Sequence, residues 1–156
     1  MPRLYTDANP SGIAYHLDGG GSGYQPLPAG HTSMEAEYMA IIYGLNEYFL
    51  KWQKELDARQ YDMTKESKDD AERSKYAESE FFKVASPADE TPRPLPPPVL
   101  VLCDNEVVVK QLSRQNHIAS PSLRKLAMRI WQMTENVEVK YEWVSRKENL
   151  AGFMLK

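Results

Sequence analysis

The sequence predicts an α/β fold: a mixed five-stranded sheet, an antiparallel meander plus parallel strands, with helices on both faces. Three observations predict it. Short alternating segments separated by turn residues open the chain, a long helical periodicity follows, and a continuous apolar run appears much later between helical patterns. A meander followed by strands flanked by helices folds as one sheet covered by helices.

Taken in order, Arg3–Thr6 reads as a first strand ending at Asp7, and Asn9-Pro10-Ser11-Gly12 supplies a turn. Gly12–Leu17 reads as a second strand, closed by Asp18-Gly19-Gly20-Gly21, and Tyr24–Leu27 as a third. Thr32 or Ser33 can cap the next element, with Glu35 completing a capping box from Thr32. Tyr38, Ile41, Leu45, Tyr48 and Trp52 then recur at helical spacing, which predicts a helix from about 33 to about 56. Glu37 stands one turn before Ile41, beside the apolar stripe, where a carboxylate is costly unless it is paired.

Residues 57–98 change character. A charged stretch, Lys65 to Arg73, precedes Ser86–Pro98 with its six prolines, a composition that excludes regular helix at the latter. We read one domain over 1–156 carrying a charged, proline-rich insertion at about 57–98. Tyr76, Phe81, Phe82 and the proline run are what that insertion could offer a protein partner. Order resumes at Val99–Cys103, an apolar run suited to a strand covered on both faces, with Asp104 at its end. Glu106–Gln115 reads as a short helix, and Ser120 or Ser122 opens another with Leu123, Leu126, Ala127, Ile130 and Trp131 as its stripe. Val137–Val144 alternates as a strand should, and Lys147–Lys156 fits a terminal helix.

The 156 residues, 42% hydrophobic, suffice for one core. No apolar stretch is long enough to span a bilayer and no secretory leader pattern is present, so the expectation is a cytoplasmic protein without a membrane partner. The lone cysteine, Cys103, excludes an internal disulfide framework and reads as a buried strand residue. The net charge is −3, yet residues 95–156 carry nine basic against six acidic side chains, which permits an anionic ligand there.

Asp7 and Asp104, each after a strand, and Glu37 in the first helix border one expected crevice, because side chains at the C-terminal ends of parallel strands converge. Clustered carboxylates without histidine or cysteine ligands suit hard cations, Mg²⁺ or Mn²⁺. Such ions can activate water and stabilise a leaving oxygen in phosphodiester cleavage.

Tyr5-Thr6-Asp7, Thr32 through Leu45, Leu102-Cys103-Asp104-Asn105 with Val107, Val108 and Leu112, and Trp143 through Arg146 with Asn149 and Ala151 resemble the type 1 ribonucleases H. The resemblance spans all but about residues 57–98. It implies a ribonuclease H-like sheet and a divalent-metal-dependent endonuclease that cuts the RNA strand of RNA–DNA hybrids or acts on another duplex nucleic acid. Asp7, Glu37 and Asp104 would be catalytic and would hold two Mg²⁺ or Mn²⁺ ions; Ser33 and Asn105 would contact substrate.

One departure is pronounced. The family ends with Asn-x-x-Ala-Asp, whose Asp serves the ion that activates water, whereas this chain reads Glu148-Asn149-Leu150-Ala151-Gly152-Phe153. The acid becomes Gly152 or Phe153, leaving Glu148 or Asn149 as the local substitutes for a metal ligand. His16, His31 and His117 lie outside this segment, and a sparse basic surface of Arg114, Arg124, Lys125 and Arg129 replaces the family's basic handle. The alternative is therefore a weakened or inactive module on the same fold that binds nucleic acid.

Overall fold

A computed structural model describes the backbone of residues 1–66 and 95–155, with side chains over 1–59 and 95–155. Five strands form one sheet: β1 (Arg3–Asn9), β2 (Gly12–Leu17), β3 (Ser22–Pro26), β4 (Val99–Cys103) and β5 (Val139–Trp143). Their order is β3-β2-β1-β4-β5. The first three pair antiparallel, while β4 runs parallel to both β1 and β5. The helices are α1 (Ser33–Glu66), α2 (Glu106–Leu112) and α3 (Pro121–Met133), with a terminal 3₁₀ helix at Leu150–Leu155.

The expected sheet is found, and its departures have local causes. β1 runs on to Asn9 because β2 continues to pair with it after β4 has stopped. The ladder to β4 ends at Thr6–Cys103, whereas the ladder to β2 includes Asp7–Ala14 and Asn9–Gly12. Asp7 thus sits inside one ladder and just beyond the other. Helix α1 extends to Glu66, past the last apolar stripe residue, through a segment rich in Ala, Arg, Gln, Met, Lys and Glu whose intrinsic propensity favours helix. The terminal element is a 3₁₀ helix shorter than the expected 147–156. Asn149 starts it by accepting from the Ala151 N–H, much as an N-cap does.

The described residues divide into two compact units. One comprises Met1–Phe49 with Pro96–Lys156, the other Leu50–Leu95. Within the second, the described residues continue α1, held by i,i+4 pairs Lys51–Glu55 and Gln53–Asp57. Tyr76, Phe81 and Phe82 lie outside the described residues. Among the described residues no helix is long and apolar enough to cross a membrane.

The first unit holds its core between the sheet and the helices. Leu4, Val99, Val101 and Cys103 point to one face, where they meet Tyr38, Ile41, Leu45, Val108, Leu112, Leu123 and Ile130. The opposite face carries Tyr5, Ala14 and Leu102, covered by Ala151 of the 3₁₀ helix. Gly44 lets α1 approach β1 closely, since a Cβ there would stand 3.2 Å from Leu4 and Thr6 methyl groups. Two turns earlier on the same helix lies Glu37, so this close approach sets its height over the sheet. Buried Tyr38 donates to Gln111 at 2.6 Å, tying α1 to α2.

Candidate active site

Three elements deliver the carboxylates to one end of the sheet. Asp7 comes from β1 on the face that the 3₁₀ helix covers, and Asp104 from the turn directly after β4. Glu37 comes from the second turn of α1. The start of α1 is fixed locally: the Thr32 hydroxyl accepts from the Glu35 N–H and donates to its carboxylate, both at 3.1 Å. Asn105 caps α2, its Oδ1 accepting from the N–H groups of Val107 and Val108. That cap turns the chain at Asp104.

Ligand atoms of Glu37, Cys103 and Asp104 all lie within 4.8 Å of one another. Glu37 is only 8% exposed. The Cys103 thiol donates to Glu37 Oε2 at 3.7 Å, and burial together with the Glu37 charge pushes that thiol well above its usual range. Burial pushes the Glu37 carboxyl up to about 8, helped by the charges of Asp104 and Asp7. Asp7 is raised to about 6, first by burial and then by Asp104, while the Ala8 N–H at 2.9 Å and Arg146 act against the rise. Asp104 Oδ2 is buried and accepts no hydrogen bond, with Arg146 Nε 3.9 Å away. Two carboxyls raised by burial and by the Asp104 charge, beside an Asp104 oxygen buried without a hydrogen bond, form a site short of positive charge.

Asp7 and Glu37 line a cleft of about 1030 Å³ together with Ser33, Asn105, Arg146, Lys147 and Gly152, while Asp104 stands beside them with a buried Oδ2 and is not itself part of the lining. Ser33 begins α1 on its rim. Asn105 faces it too, although its amide is occupied by the α2 cap and by a contact from Nδ2 to Met34 Sδ at 3.4 Å. Asn149 is 1% exposed, donates to the Thr6 carbonyl at 2.9 Å and accepts from Ala151. Both ends of its amide are thereby used to clamp the 3₁₀ helix onto β1. Glu148 is exposed in the preceding turn, and the cleft lining includes its neighbours Lys147 and Asn149 but not Glu148 itself.

At Gly152, one of the two positions where the sequence resemblance expects a fourth acid, a Cβ would lie 3.1 Å from Asp7 Oδ2. The other candidate position, Phe153, also lines the cleft and is 62% exposed.

Sequence reasoning left two groups out of the site. Arg146 lies just past β5, which runs parallel to β4, so the strand-end rule that picks out Asp104 applies equally to it. Cys103 reads as a core residue, which it is, but its thiol also reaches Glu37; alternation along β4 places it on the α1 face.

Comparison with known proteins agrees with the fold. A family model described as reverse transcriptase-like matches residues 96–155. No curated protein sequence matches the chain significantly. Among solved structures, LC11 ribonuclease H1, isolated from compost by a metagenomic approach and crystallised with an RNA/DNA hybrid, is 15% identical with a TM-score of 0.60. The match covers 96% of this chain and 89% of that one. The ribonuclease H1 of Halobacterium salinarum is 17% identical over 99% and 91% of the two chains, with a TM-score of 0.57. An N-terminal ribonuclease H domain from Mycobacterium tuberculosis is 20% identical over 95% and 84%, at 0.55. The chain has a ribonuclease H-like fold.

Proposed function

We propose that this protein is a divalent-metal-dependent endonuclease that hydrolyses the RNA strand of RNA–DNA hybrids, with Asp7, Glu37 and Asp104 as its catalytic carboxylates. The observation that supports the reading is that Asp7 and Glu37 line one cleft with Asp104 beside them, its Oδ2 buried without a hydrogen bond and the other two carboxyls raised by burial and by its charge. That set fits a hard, oxygen-preferring cation, Mg²⁺ or Mn²⁺, which Asp7, Glu37 and Asp104 would hold. Such an ion supplies Lewis acidity and neutralises charge at a phosphodiester. Ser33 on the rim would meet the sugar, whereas Asn105 would contact substrate only by giving up its α2 cap or its bond to Met34.

The similarity to a ribonuclease H1 crystallised with a hybrid supports that substrate class. Gly152 favours a second reading, a module that binds hybrid without cutting it, because no carboxylate side chain stands there beside Asp7. A cleavage assay on an RNA–DNA hybrid with Mg²⁺ and with Mn²⁺ separates the two. Cleavage that Asp7→Asn or Asp104→Asn abolishes supports the endonuclease, whereas binding without cleavage in either metal leaves the inert module.

A further inference from the structure

Of the two permanent cations that line the cleft, Arg146 and Lys147, Arg146 is the one that stands within 4 Å of a site carboxylate among the described residues. Its side chain is 92% exposed, lines the cleft, and stands with Nε 3.9 Å from Asp104 Oδ2. That separation is too long for a hydrogen bond, so the guanidinium is drawn to the carboxylates without being fixed by them. Its field reaches Asp7 and Glu37 as well, opposing the rise of both carboxyls.

We propose that Arg146 contacts the phosphate bound over the carboxylate floor, supplying the charge that a second cation beside Gly152 would otherwise bring. This inference rests on the hydrolase reading and deepens it. Charge counting supports it. Three ionised carboxylates and one divalent ion leave the floor one charge negative, facing an anionic phosphodiester across a cleft. Arg146 brings that sum to zero. Gly152 offers no side-chain oxygen to hold a further ion next to Asp7, so the remaining charge has to come from a residue that can reach the same point. A guanidinium suits this role because it is permanently charged, its planar fork matches two phosphate oxygens, and it sheds water more readily than an ammonium. Its place after β5, parallel to β4, puts it at the strand ends where the carboxylates converge.

The test compares the parent protein with Arg146→Ala and Arg146→Lys, using an RNA–DNA hybrid of defined length. Three readouts are taken: the salt dependence of hybrid binding in metal-free buffer, Mn²⁺ affinity by calorimetry, and kcat and KM for cleavage. Loss of one phosphate contact lowers the slope of log K against log salt by about 0.9. We expect that loss in Arg146→Ala, with Mn²⁺ binding equal or tighter once the competing cation is gone. We also expect kcat to fall at least about tenfold, as for loss of a transition-state donor, and Arg146→Lys to recover the slope and part of kcat. An unchanged salt slope in Arg146→Ala overturns the proposal, as does weakened Mn²⁺ binding, which would make Arg146 an organiser of the carboxylates. The slope needs no turnover. A parent that binds hybrid without cutting it therefore sinks the endonuclease reading while the slope still decides Arg146.

Discussion

A Cβ on Gly152 would stand 3.1 Å from Asp7 Oδ2. Under the proposed reading, Gly152 is where a fourth carboxylate would have to stand beside Asp7. Gly152→Asp places a second carboxylate against Asp7, which has to yield by a few tenths of an ångström. Without metal the variant is expected to unfold at lower temperature than the parent, because like charges at that range repel. With Mn²⁺ the order reverses, and calorimetry shows one more bound ion per chain. Equal Mn²⁺ stoichiometry in the two proteins counts against this geometry.

The raised carboxyls give metal-free stability a definite pH slope. Glu37 rises from 4.5 to about 8 and Asp7 from 3.8 to about 6 on folding. The folded chain therefore binds more protons than the unfolded one across that window, and stability falls as pH climbs through it. Below about pH 4 the contribution is complete; above about pH 8 it is lost. Urea unfolding at pH 5 and pH 8 is expected to show the difference, and Glu37→Gln to shrink most of it. Saturating Mn²⁺ is expected to raise stability most at the higher pH, where the carboxylates are ionised.

Asn149 distinguishes a clamp from a ligand. Its amide joins the Thr6 carbonyl to the Ala151 N–H in a site 1% exposed. Asn149→Ala leaves both partners buried and unsatisfied, which costs about 2–3 kcal/mol. Chemical denaturation measures that loss. Mn²⁺ affinity of the folded fraction is expected to change little, whereas a ligand role would show as its collapse.

Trp143 acts on Asp104 through the backbone, its indole N–H donating to the Asp104 carbonyl at 3.1 Å. Trp143→Phe removes the donor and keeps an aromatic ring. The bond is worth about 1 kcal/mol, so Mn²⁺ affinity is expected to weaken about fivefold while the melting temperature shifts little. A melting shift without an affinity change would assign Trp143 to packing alone.

How much of this was legible from sequence depended on whether the signal was local. The β2 and β4 bounds could be read outright because turn residues flank Gly12–Leu17 and prolines precede Val99. The extra length of β1 could not, since residues 7–9 are strand only by virtue of β2 lying alongside them. Asp7, Glu37 and Asp104 were visible as candidates, but their proximity is a property of the packed sheet and of α1 seated on Gly44. Asn149 looked like a possible ligand because its amide oxygen is chemically suitable. Only the fold reveals that the oxygen is occupied. Arg146 was hidden by its ordinariness, one exposed arginine among several, until the register of β5 placed it beside Asp104.

The carboxylates and Arg146 all belong to the unit built from Met1–Phe49 and Pro96–Lys156. Asp7 and Glu37 come from its first segment, Asp104 and Arg146 from its second, and β1 paired with β4 is the seam between them. The site is therefore a two-fragment assembly held by one parallel ladder and a shared core.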